Sequence, residues 1–117
     1  MKKLFLLVFV LFYSSVSVQA DSKGEITHLL NYVKHTKCKY VRNGTPYNGQ
    51  EAVEHIQNKY DYFKKEIVSA EDFIRLSATK STMSGKMYII KCPGSPDMQS
   101  RKWLLEELKR YRSSQEK

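Results

Sequence analysis

A chain of 117 residues, 41% hydrophobic and 12% aromatic, makes one domain that buries about two thirds of its unfolded surface and excludes a second domain. Lys and Arg number 20 against 12 Asp and Glu, for a formal net charge of +8. The two signs are mixed along the chain, so most of this basicity reads as solubility. No repeat, Walker loop, dinucleotide fingerprint or His-Glu-x-x-His pair is present. The sequence therefore calls for no cofactor and no metal.

At the N-terminus, Lys2 and Lys3 precede an apolar run from Leu4 to Tyr13, and Val18-Gln19-Ala20 forms a small-x-small site before Asp21. This is the pattern of a secretory signal cleaved after Ala20. About ten apolar residues span only ~15 Å as a helix, half of a ~30 Å hydrocarbon core, so stable membrane insertion after cleavage is not expected. Residues 21–117 then form a single exported domain, placed in the periplasm, with a net charge near +6 once Lys2 and Lys3 are lost. An exported chain meets anionic lipids, wall polymers and acidic protein surfaces, so nucleic acid is not an expected partner.

The mature chain opens with Ser22 and Glu25 at capping-box spacing and an apolar stripe of Ile26, Leu29, Leu30 and Val33, predicting a helix that ends near residue 36. Cys38-Lys39-Tyr40-Val41-Arg42 reads as a short strand stopped by Asn43-Gly44, a pair suited to positive φ in a tight turn. A loop over 45–47 leads to Asn48, which caps a helix with the stripe Ala52, Val53, Ile56, Tyr60, Phe63 and Ile67. Ser69 restarts the chain in a shorter helix, with Asp72 in the place of the box glutamate and Phe73, Ile74 and Ser77 inward. After the hydroxyl-rich turn 81–85, residues 87–92 read as a second strand ended by Pro93-Gly94. Ser95 as cap and Pro96 in the first turn start the last helix, whose apolar side is Trp103, Leu104, Leu108 and Tyr111. On it, Lys102, Glu106 and Arg110 have the i, i+4, i+8 spacing of exposed ion pairs.

The expected fold is a small single α+β domain in the order α-β-α-α-β-α, with a two-stranded antiparallel ribbon packed with helices. Two cysteines in an oxidising compartment are read as a disulfide, Cys38 to Cys92, against the alternative of two buried thiols. The bond decides the strand direction. In a parallel pair the two positions would lie ~13 Å apart at ~3.3 Å per residue, too far to bridge. In an antiparallel pair with Cys38 facing Cys92, Tyr40 falls opposite Ile90, and Arg42 opposite Tyr88 beside the Ser84-Gly85 turn.

Several separated blocks carry a family resemblance: Tyr40 to Gly44, Glu51 to His55, Ser69 to Ile74, Ser84 to Ile90 with Pro93-Gly94, and Trp103-Leu104. In this order they resemble the YfeK-like family of small periplasmic proteins, over almost the whole mature chain. The resemblance implies export and an uncharacterised bacterial domain, without an activity. The cysteine pair is not part of it.

Arg42, Asn43, Gly44, His55, Ser84, Gly85 and Tyr88 form the grouping that points to chemistry. A planar guanidinium fork, backbone donors at Gly44 and Gly85 and the Ser84 hydroxyl are the parts of a cradle for a carboxylate or phosphate. The competing account has Asn43-Gly44 and Ser84-Gly85 as plain turns and Arg42 bonding helix carbonyls. The leading functional reading is an exported, non-enzymatic envelope module for a small anionic ligand or an acidic partner. An alternative is an interaction or inhibitor domain using the Tyr- and Lys-rich helix over 51–67, with Tyr47, Tyr60 and Tyr62 exposed. A third is a small hydrolase built on Ser84 and His55, although no carboxylate is placed to orient the histidine and no nucleophile elbow exists. His28 and His35 lack an i+4 partner histidine, and the cysteines lack Cys-x-x-Cys spacing, so no metal ligand set is assigned.

Overall fold

Apolar residues three and four apart place Ile26, Leu29 and Val33 on one side of the first helix, and all three are buried. In the computed structural model the described residues are 18–116, with side chains from residue 22. The secretory signal expected over 1–20 lies outside them, apart from the backbone of 18–20. Helix α1 covers Val18–Lys34, so Ser22 lies inside the helix instead of capping it. The expected box fails because both of its side chains serve other partners. Ser22 Oγ donates to the Val68 carbonyl at 3.0 Å, and Glu25 receives Arg112.

The ribbon is a correction. The sheet has four antiparallel strands in the order β2-β1-β3-β4, with β1 Lys39–Arg42, β2 Thr45–Tyr47, β3 Ile89–Lys91 and β4 Met98–Gln99. Asn43 at φ 50° and Gly44 at φ 82° make a two-residue hairpin turn, and the segment expected as a loop pairs back as β2, with Tyr40 opposite Tyr47. Pro46 is tolerated there because β2 is an edge strand. Between β1 and β3 the partners are Lys39 with Lys91, Tyr40 with Ile90 and Val41 with Ile89, the register expected from the cysteines. One step outward, Cys38 and Cys92 are disulfide-bonded, with Cα atoms 4.2 Å apart. Neither is a free thiol.

Helix α2, Gly49–Tyr62, starts as expected. Asn48 Oδ1 accepts from the Glu51 N–H at 2.8 Å, and Glu51 Oε1 accepts from the Asn48 N–H at 3.0 Å. It ends five residues short of Ile67, and a 3₁₀ turn, Lys64–Glu66, follows. Helix α3, Ala70–Ser77, is capped by Ser69, which accepts from the Asp72 N–H; the Asp72 carboxylate accepts from Val68, one residue earlier than a standard box. The start of the last helix is also corrected: α4 covers Ser100–Gln115. Residues expected in its first turn form an exposed bend instead, with Gly94 at φ 73° and the Ser95 N–H donating to Cys92, and Met98 pairs with Ile90. Two bonds hold the entry of α4 to the sheet: Ser100 N–H to the Tyr88 carbonyl at 2.9 Å and Ser100 Oγ to Tyr40 Oη at 3.0 Å.

Tyr40, Tyr88 and Ile90 are buried on one side of the sheet with Ile56, Phe73, Ile74, Leu104 and Leu108 from the helices. Lys39, Val41 and Lys91 alternate to the wetter side. Among the described residues no helix is long and apolar enough to cross a membrane. On α4, Lys102 reaches Glu106 at 3.7 Å, whereas Arg110 turns to Glu107, which also holds His28 at 2.6 Å.

Arg112 ties three helices together. Its Nε and Nη2 donate to Glu25 at 2.8 and 2.9 Å, and Nη1 donates to Glu71 at 2.7 Å. Glu25 is buried, so removing the guanidinium strands a carboxylate. With Arg112 itself 37% exposed, solvent screening reduces the loss, and Arg112→Ala is expected to cost about 2 kcal/mol in chemical denaturation. The hydrogen bonds from Arg112 also hold the Glu71 carboxyl below its ordinary value of 4.5. Because the folded value is the lower one, this stabilisation is complete above about pH 4.5 and is lost as pH falls through the depressed value. Arg112→Ala should flatten that acid limb; an unchanged limb would remove the clamp from the account.

Candidate functional site

Four pieces of chain meet around Tyr88: the end of β1, edge strand β2, the middle of α2 and the 81–85 turn. Continuing the β1–β3 register one step sets Arg42 opposite Tyr88. The guanidinium carbon lies 5.6 Å from the Tyr88 ring centroid and 5.4 Å from that of Tyr47. Ring contact of this kind contributes ~0.5–2 kcal/mol while leaving the in-plane N–H donors unused. Arg42 Nε is buried without a hydrogen-bond partner, and no carboxylate pairs with Arg42 among the described residues. Helix carbonyls do not take it up either. A donor fork is thus held in place by two rings without an acceptor.

His55, on α2, stands edge-on to Tyr47 with ring centroids 5.0 Å apart. Burial lowers its pKa, and the Arg42 charge lowers it further against the opposing pull of Glu54 and Glu51. The imidazole is therefore neutral at pH 7 and senses the charge at Arg42. One turn along α2, Lys59 Nζ lies 5.2 Å from the Tyr88 ring and donates to Tyr88 Oη at 3.3 Å and to the Lys80 carbonyl at 2.7 Å. Arg42, His55 and Lys59 make an arc of basic groups around Tyr47 and Tyr88.

The two turns are joined at their tips. Ser84 Oγ donates to Asn43 Oδ1 at 2.6 Å and accepts from the Lys86 N–H at 3.2 Å. Its one proton goes to Asn43 and not to His55. Gly85 donates its N–H to the Ser81 carbonyl at 2.9 Å and has φ 75°, and neither Gly44 nor Gly85 has a heavy atom within 4 Å of where a Cβ would stand. The Ser84–Asn43 bond holds the hairpin tip against the 81–85 turn, whose own shape the Gly85–Ser81 bond closes, and among the described residues the Arg42 fork is left without an acceptor. Of the three tyrosines expected on a sticky helix surface, Tyr62 is 81% exposed, Tyr60 packs edge-on to Phe73 and Tyr47 is half-buried. Among the described residues no three His, Cys, Asp or Glu side chains gather into a group that could hold a metal ion.

Two members escaped the sequence reading. Tyr47 was hidden because β2 was not recognised, although a two-residue Asn-Gly turn implies a returning strand that sets Tyr47 across from Tyr40. Lys59 stands four residues after His55, the spacing that puts both on one helix face.

Comparison with known proteins adds ancestry. The chain is 36% identical over 73 residues to the uncharacterized protein YfeK of Salmonella typhimurium, covering 62% of this chain and 61% of that protein. The chain thus spans about three fifths of that relative's length. No solved structure matches it. Residues 20–112 match the model of a family of unknown function, DUF5329, and the chain belongs to that family.

Proposed function

We propose that this chain is an exported, periplasmic binding module without catalytic chemistry of its own, which takes a small anion or the carboxylate of an acidic partner on the Arg42 face. One observation carries this reading: a guanidinium flanked by Tyr47 and Tyr88 whose Nε is buried and unbonded. Leaving such a donor without an acceptor costs roughly 1–3 kcal/mol. Because the Nε itself is closed off from solvent, an incoming anion engages the guanidinium through its terminal N–H groups, which have no partner in the fold either among the described residues. The Cys38–Cys92 bond fits an oxidising compartment, in keeping with the signal-like N-terminus.

Arg42→Glu tests the reading. Among the described residues Arg42 makes no ion pair or hydrogen bond, so the variant is expected to stay folded. Binding of inorganic phosphate or acetate, followed by calorimetry, should weaken at least ~tenfold. A folded variant with unchanged binding would sink the proposal.

A further inference from the structure

An open cleft of about 250 Å³ lies where the C-terminal ends of α2 and α3 meet the 80–85 segment. Phe63 and Leu76 give it an apolar wall, and Lys59, Arg75 and Lys80 supply its charges; no acidic residue lines it. Arg42 and His55 are not part of the lining, although Lys59 and Gly85 belong to both neighbourhoods.

The charge balance decides what such a cleft takes. Arg75 donates to Asp72 at 3.0 Å, which neutralises it locally. Lys59 Nζ uses two donors, on the Lys80 carbonyl and Tyr88 Oη, and both of those partners are uncharged. Lys80 is exposed and makes no ion pair among the described residues. Two helix C-termini each contribute roughly −0.5 of an elementary charge, so together they offset about one of the two lysine charges and leave the cleft positive. Its volume is below the ~300–1,000 Å³ of sites for drug-sized ligands, so the guest is fragment-sized.

We infer that this cleft is a second binding site, for a small amphiphilic anion: a single carboxylate or phosphate headgroup set between Lys59 and Lys80, with a short apolar tail against Phe63 and Leu76. It does not depend on the Arg42 reading. The apolar wall supplies the affinity and the two lysines select the headgroup. A neutral amphiphile forfeits the second term, and a small anion such as acetate forfeits the first.

The test titrates the disulfide-bonded chain with octanoate and octyl phosphate below their micelle concentrations, with octanamide and acetate as controls, followed by amide NMR. Both octyl anions should bind saturably, with shifts centred on Phe63 and residues 80–85, and each control should produce shifts at those residues at least ~tenfold more weakly. Lys80→Glu should weaken the octanoate shifts at Phe63 and residues 80–85 ~tenfold by reversing one exposed charge, whereas Lys109→Glu, which reverses an exposed charge on α4 outside the lining, should leave them unchanged. Equal binding of octanamide, an unaffected Lys80→Glu variant, or no saturable shift at all would overturn the inference. Loss of octanoate binding in a folded Arg42→Glu variant would move the ligand to the Arg42 face and overturn the separate site. Vesicles of anionic phospholipid should not reproduce the shifts; binding to vesicles without binding of monomers would assign the cleft to a membrane surface instead.

Discussion

Replacing Cys38 and Cys92 together by alanine is expected to lower stability by about 4 kcal/mol and the melting temperature by ~15 °C or more. The bond spans a sequence separation of 54, and closing a loop of that size removes much of the freedom of the unfolded chain. In a domain whose total stability is of order 5–15 kcal/mol, this is a large share. The fold should nevertheless persist, because Tyr40 and Ile90 are buried partners on the same pair of strands and hold the register by themselves. Thermal and urea unfolding of the double variant would check this. A loss under ~1 kcal/mol would mean that the denatured chain is already compact around the two strands.

Gly49→Ala is expected to destabilise by about 3 kcal/mol, although alanine is the better helix former. A Cβ built at Gly49 stands 2.4 Å from the Val33 carbonyl oxygen and 2.8 Å from that of Lys34. Both are backbone atoms at the end of α1, so no side chain can swing away. Helix propensity favours alanine by at most ~1 kcal/mol, whereas overpacking against backbone costs more than that. Relief requires the start of α2 to move off α1, and His55 and Lys59 ride on α2. Denaturant titration reads the loss directly; a variant as stable as the parent would show that the two helices are not held this closely.

How far the fold could be read in advance follows from where the constraints are local. The pairing of β1 with β3 was legible because the cysteines stand one residue beyond each strand, and an antiparallel ladder turns that position into a register. The start of α2 was legible because Asn48 and Glu51 satisfy each other's backbone donors without outside help. By contrast, β2 and β4 have only three and two residues; β2 contains Pro46 and β4 follows closely on Pro96, and a proline argues against a strand. Their pairing is a property of the sheet they join and not of their own composition. Ser22 misled for a similar reason, since its hydroxyl serves Val68, 46 residues away. Within the site, Arg42 facing Tyr88 and Asn43 meeting Ser84 follow from the register, but the second ring over Arg42 comes from β2 and was lost with it.

The central claim is that the Arg42 guanidinium is open to an anion at its terminal N–H groups, and the Nε–Hε resonance of the same planar group in the wild-type chain reports on it. Titration with inorganic phosphate should shift this resonance saturably, and the His55 pKa, lowered first by burial and then by the Arg42 charge, should rise in parallel as the added negative charge opposes the second of these. An Arg42 signal and a His55 titration curve that are the same with and without phosphate would contradict the account.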